Sequence, residues 1–184
     1  MSVAVARADE VIEFWFHTLT PRQWFAKDAD LDQRMRDAFS ATLSAAASAE
    51  TWQWRTSARG RLAEILVLDQ FSRNIHRDSA LAFACDGQAL VLAQEAVAQG
   101  ADRVLDVAWR AFLYMPYMHS ESLPIHEEAL RLFDQPGLES NLHHEHRHRE
   151  VLLRFGRYPQ RNAALGRRST PEEEAFLAEP GNRF

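Results

Sequence analysis

The amino-acid sequence predicts an all-α protein with seven to nine helices in antiparallel pairs. Apolar residues recur at spacings of three and four, which gives a helix one buried face. Capping residues precede these segments, and glycine or proline follows them. No segment convincingly alternates apolar and polar residues, as a half-buried strand would. With 184 residues, 46% of them hydrophobic, we expect one domain that spans residues 1–184.

The first half of the chain contains four predicted helices, at residues 8–17, 28–49, 57–71 and 79–99. The second has the clearest pattern, because Leu31, Met35 and Phe39 recur every fourth residue. For the fourth, Asp78 is the expected N-cap and Gly100 the stop signal. These signals place four helices before residue 100.

Four more helices are predicted in the second half, at residues 107–120, 122–133, 138–155 and 170–177. Asp106 is the expected N-cap of the first, which Pro116 should kink or interrupt. Gly156 should end the third. The last begins with Thr170, Pro171 and Glu173, the pattern of a capping box with proline in the first turn.

Helix pairs joined by short turns form either a globular bundle or a short superhelical stack of helical repeats. A brief internal similarity favours the stack, because QFSRN at residues 70–74 and RFGR at residues 154–157 each close a helix with phenylalanine, a small residue and arginine. We therefore expect an arrangement similar to tetratricopeptide repeats.

Charge and cysteine content restrict the partners and the compartment. The net charge of −5 argues against a general nucleic-acid binder. Residues 143–168 nevertheless contain seven arginines, which suits a local anionic group. The single cysteine, Cys85, fits a reducing compartment. Because no apolar stretch resembles a signal peptide or membrane span, we expect a cytoplasmic protein with neither nucleic acid nor membrane as a partner.

Three ionisable residues fall on helix faces that are otherwise built for burial, namely Asp69, His119 and His148. A small helical stack can bring them to one cleft, where burial displaces pKa values as acid–base chemistry requires. The residues expected to bind a ligand around them are Gln70, Arg73, Asn74, Glu121, Arg154, Arg157, Arg161 and Asn162. Three interpretations remain open: a structural polar network, recognition of an anion by guanidinium groups, and catalysis.

A metal site is the weaker interpretation of the histidine-rich segment. His144 and His148 are four residues apart on the predicted inner face and could chelate zinc, and residues 144–148 match the HExxH pattern. The neighbouring His143 and His146 should face outward and suggest only a histidine-rich surface. A metalloprotease also requires a correctly placed third ligand and a flanking cleft. We therefore expect no metal and no cofactor.

Several motifs recur in the order found in a known family. They are LDQFSRN at residues 68–74, YMP at 114–116, MHSE at 118–121, RFGRYPQRN at 154–162 and LGR at 165–167, with His148 between the third and fourth. Over nearly its whole length the chain resembles the bacterial family called domain of unknown function 924. The resemblance implies an all-α fold similar to tetratricopeptide repeats and no established activity. Ser72, Tyr158 and Gln160 replace the proline, phenylalanine and histidine that are usual in its motifs.

The sequence leaves open whether the protein is an enzyme, and we carry two functional hypotheses forward. In the first, a helical-repeat-like protein binds an anionic small molecule or peptide end in its polar cleft, and a second copy of the chain is a further candidate partner. In the second, a small hydrolase or isomerase uses Asp69, His119 or His148 as acid or base.

Overall fold

A computed structural model describes residues 4–182, and all regular structure within them is helical. The α-helices are α1 (Ala8–Glu13), α2 (Ala29–Ala47), α3 (Ala58–Leu66), α4 (Ser72–Ile75), α5 (Asp86–Ala98), α6 (Val107–Met118), α7 (Leu123–Phe133), α8 (Glu139–Phe155) and α9 (Pro171–Ala178). Short 3₁₀ turns lie at Gln23–Phe25, Trp52–Thr56, Ala80–Phe83, Ala101–Val104 and Pro159–Arg161. The all-α prediction is confirmed, and the superhelical stack stays a prediction.

Two helices contain a π-helical turn, which the sequence pattern did not indicate. Helix α1 continues through Phe14–Thr18, and α3 continues through Val67–Phe71 directly into α4. The predicted third helix therefore extends beyond Phe71 to Ile75. Single π-helical turns inside α-helices often coincide with functional sites. Asp69 lies in the middle of the second one.

The helix ends confirm some predicted signals and correct others. The Thr170 and Glu173 capping box forms, and Gly100 and Gly156 adopt the left-handed conformation where their helices end. Asp78 is not an N-cap, because it has a φ of 61° and α5 begins only at Asp86. Pro116 does not interrupt α6, which runs to Met118. The Pro116 nitrogen cannot donate to the carbonyl four residues earlier, yet the helix continues for two residues beyond it.

Helix α6 occupies a central position, since it packs against α3, α5, α7 and α8. Its Phe112 belongs to the main core, where Trp15 and Phe71 also lie. A second, smaller core forms between α8 and α9 from Val151, Leu152, Tyr158 and Phe176. No described helix is long and apolar enough to cross a membrane.

Candidate functional site

Asp69 and His119 form the centre of the candidate site. His119 Nδ1 donates a hydrogen bond of 2.7 Å to Asp69 Oδ1, although the two residues are 50 positions apart in the chain. Gln70 Nε2 donates to the other carboxylate oxygen at 2.6 Å. Asp69 is completely buried in the π-helical turn, and His119 follows the last residue of α6. The predicted association of Asp69 with His119 is thus present in the fold.

Two arginines surround this pair and share one further carboxylate. Arg73 Nη1 lies 3.2 Å from Asp69 Oδ1, and both its terminal nitrogens donate to Asp86, at 2.8 and 2.9 Å. Arg161 Nη1 donates to Asp86 at 3.2 Å and its Nη2 to the His119 carbonyl at 2.8 Å. We call Asp69, Gln70, Arg73, Asp86, His119 and Arg161 the His119 cluster. Its two guanidinium groups balance its two carboxylates.

The charges around the imidazole determine its protonation state. Burial and the Arg73 guanidinium lower the pKa of His119 below its ordinary value, so the ring is neutral at neutral pH. Burial opposes ionisation of Asp69, but Arg73 and His119 outweigh it and hold the pKa of that carboxyl well below its usual range. The ionised carboxylate accepts from Nδ1–H, so the lone pair of the neutral ring lies on Nε2.

The Nε2 atom of His119 is the chemically available group of the cluster. No residue between 4 and 182 donates a hydrogen bond to it or accepts one from it. The His119 side chain is 16% exposed, whereas Asp69 is inaccessible. A neutral imidazole with its Nδ1–H fixed by a carboxylate and a free Nε2 can accept a proton from a bound molecule.

Other residues that the sequence grouped with this site lie in different networks. Asn74 donates to Asp32, which is also paired with Arg77. Arg154 stacks on the rings of Phe155 and Phe176, at 4.7 and 5.7 Å, beside a surface cavity of about 180 Å³. These two residues are therefore not part of the His119 cluster.

Glu121, Arg157 and Asn162 belong to a neighbouring ion-pair network that includes the N-terminus of α9. Glu121 accepts two hydrogen bonds from Arg167, at 2.7 and 2.9 Å. Arg157 donates twice to Glu173, at 2.7 and 2.8 Å. Asn162 is buried and links these two ion pairs, because it accepts a hydrogen bond from Arg167 and donates one to Glu173. This network closes the turn that follows α8.

The histidines of α8 differ from the predicted arrangement. His144 is exposed, so its predicted place on the inner face is wrong, while His143 and His146 face outward as expected. His148 is half-buried, its ring meets that of Tyr158 edge to face at 5.6 Å, and its Nδ1 donates to the His144 carbonyl. Burial lowers the pKa of His148 to about 3. Within residues 4–182, no three His, Cys, Asp or Glu side chains are arranged to hold a metal ion.

The sequence interpretation missed a fully buried His126–Glu145 pair. His126 Nδ1 lies 2.5 Å from Glu145 Oε1, and both side chains are completely inaccessible. Glu145 is seven residues from both Leu138 and Leu152, which are buried on the same face of α8. That spacing was a usable signal, because residues seven apart lie on one side of a helix. The inner face therefore differs from the predicted one near the start of α8, where Glu145 and not His144 points inward, while Leu152 is buried as expected.

Comparisons with other proteins support the fold and provide no activity. The model of a family described as bacterial proteins of unknown function, DUF924, matches residues 11–181. One solved structure, of a protein of unknown function called ATU0120 from Agrobacterium tumefaciens, is 38% identical, with a TM-score of 0.88. The similarity covers 93% of this chain and 96% of that one. No curated protein matches the chain significantly.

Proposed function

The chain belongs to the bacterial family of unknown function DUF924, and from the chemistry of the chain's own residues we propose an acid–base enzyme in which His119 exchanges a proton with a small substrate. The reaction class is hydrolysis or isomerisation. One observation carries this proposal, the 2.7 Å hydrogen bond that fixes Nδ1–H on Asp69 and leaves Nε2 free.

The proton transfer follows from the charges of the His119 cluster. Nε2 accepts a proton from a water molecule or from the substrate, and the ring becomes an imidazolium. Asp69 stabilises that cation without accepting a proton, because its pKa is held low. Nε2 then returns the proton to the leaving group or to another substrate atom. The carboxylate therefore fixes the ring orientation and stabilises its charged state.

The arginines suggest binding of an anionic group as a second function. Arg73 and Arg161 converge on Asp86, and their side chains are 19% and 11% exposed. An anionic small molecule or peptide end would have to compete with Asp86 for these guanidinium groups. This requirement makes simple anion capture the weaker proposal, although such a group on a substrate could be oriented in the same way.

The acid–base proposal is tested with hydrolysis and exchange probes. Purified protein is assayed with nitrophenyl esters and for deuterium exchange into carbon acids, between pH 5 and 9. We expect an activity that falls as His119 is protonated and that drops roughly 10²–10⁴-fold in His119→Gln. The exposed His143→Gln is the matched control and should be unchanged. Activity that survives His119→Gln would overturn the proposal.

The anion-binding proposal is tested separately with phosphate and acetate as probes. The unfolding temperature of the wild type should rise when either anion is added, and Arg161→Gln should abolish this rise. The exposed Arg168→Gln serves as the control for general charge effects. If the control loses the stabilisation equally, or if no stabilisation occurs, the binding proposal fails.

A further inference from the structure

Three consecutive backbone carbonyls at the end of α6 are each bound by a side chain from elsewhere in the fold. Their residues are Met118, His119 and Ser120. Carbonyls at a helix C-terminus lack partners within the helix and must find them elsewhere. His119 is the middle residue of the three, so the bonds act directly on the backbone that supports its imidazole.

The three donors come from outside the helix. Tyr158 Oη donates to the Met118 carbonyl at 2.6 Å, Arg161 Nη2 donates to that of His119 at 2.8 Å, and His126 Nε2 donates to that of Ser120 at 2.8 Å. Tyr158 and His126 are completely buried, and Arg161 is nearly so. Arg161 is also held between the rings of Phe83 and Tyr158, at 4.8 and 4.7 Å. Such donors have little freedom to move.

His126 is itself oriented by Glu145. A carbonyl oxygen only accepts, so Nε2 of His126 must bear a proton, and Nδ1 faces Glu145 Oε1 across 2.5 Å. One proton lies between these two atoms, because a bare carboxylate facing a bare nitrogen lone pair would be repelled. Glu145 thus determines which way the His126 ring is turned.

A gain in stability does not explain why His126 and Glu145 are buried together. Glu145 Oε2 is buried and has no hydrogen-bond partner among residues 4–182. An unpaired buried polar atom is destabilising, and an apolar pair of similar shape would avoid that cost. A role in orienting the Ser120 carbonyl accounts for both buried polar side chains.

We propose that His126, oriented by Glu145, is a positioning residue that fixes the backbone and hence the imidazole of His119. The inference rests on the proposed function, since it assigns His126 and Glu145 to the same site. The two residues belong to α7 and α8, so four helices contribute to the orientation of one ring: α3 with its π-helical turn, α6, α7 and α8.

The test uses nitrogen NMR of the His119 imidazole, which needs no substrate. In the full-length wild type we expect one tautomer, with the proton on Nδ1. His126→Leu removes the donor to Ser120, and the wild-type Nδ1–H signal of His119 should be lost or replaced by a mixture of tautomers. His126→Gln can place an amide N–H where Nε2 was and should retain the signal. Unchanged His119 signals in a folded His126→Leu would overturn the proposal.

A matched control separates positioning from general loosening. Tyr114→Phe also removes one buried hydrogen bond of α6, the 2.7 Å bond to Asp102 Oδ2. It should leave the His119 signals unchanged, and an effect equal to that of His126→Leu would refute a specific role. If His126→Leu does not fold, Glu145→Met decides by the same signals, because methionine has a similar length but no strong donor or acceptor to orient the His126 ring. The Nδ1–H signal of His119 should then be lost or mixed, and unchanged signals would overturn the proposal. These spectra are independent of whether the enzyme assays succeed, so either proposal can fail alone.

Discussion

Replacing Glu173 by glutamine should destabilise the protein mainly by removing one buried charge. Hydrogen bonds from Arg157 lower the pKa of Glu173 from 4.5 to about 2, assisted by Thr170 and Asn162. This difference corresponds to about 3 kcal/mol at neutral pH. Because the Arg157 side chain is 29% exposed, we reduce the expected loss to about 2 kcal/mol for solvent screening. For a domain of this size, the unfolding temperature should fall by about 4–8 °C.

Urea unfolding of the wild type and of Glu173→Gln between pH 7 and pH 3 tests this reasoning. The folded carboxyl has the lower pKa, so its stabilisation is present above the unfolded value of 4.5 and is lost as the pH falls toward 2. The difference in unfolding free energy should therefore shrink to less than half at about pH 3. Glu172→Gln, at an exposed position of the same helix, should have little effect at any pH. A difference that stays constant with pH would show that the loss comes from packing.

Three further predictions concern the backbone, one histidine and one asparagine. A Cβ at residue 60 would lie 1.9 Å from the Trp54 carbonyl oxygen. Gly60→Ala should therefore lower the unfolding free energy, measured in urea, by about 1–3 kcal/mol or more. Gly87→Ala is the control, because open space surrounds that position and no steric penalty is expected. His148 should remain neutral down to about pH 4 in an NMR titration, because burial lowers its pKa to about 3; a midpoint near 6.5 would contradict this. Asn74→Ala should cost about 1 kcal/mol by removing the 2.8 Å bond to Asp32, with no change in the His119 spectrum.

The helical pattern was predictable because its signals are local. Spacing and capping residues indicated nearly every helix, and the capping box at Thr170 confirms how specific such a signal can be. The beginning of α5 was not predictable in this way. Asp78 is a good N-cap in isolation, but it takes a left-handed conformation and its carboxylate pairs with Lys27, 51 residues away. A partner at that distance leaves no trace in the local sequence.

The candidate site was partly predictable, for a geometric reason. Asp69 and His119 each continue an apolar helix face, so both had to point inward, and the fold joins them. Asn74 follows Asp69 by only five residues, but that interval turns the side chain to a different side of the helix. On α8 an error of one position replaced Glu145 by His144, since adjacent residues differ by about 100° in direction. Proximity in sequence was therefore a poor guide to membership of the cluster.

The distances in sequence between the groups of the His119 cluster also bear on how the protein is made. Asp69 and His119 are 50 residues apart, and Arg161 reaches back 42 residues to His119 and 75 to Asp86. A ribosome adds about 5–20 residues each second, so these groups emerge several seconds apart. Until the segment with Arg161 has been synthesised, the His119 carbonyl lacks its donor. The contacts that orient His119 are consequently completed late in synthesis, after the segment that carries Arg161 has been added.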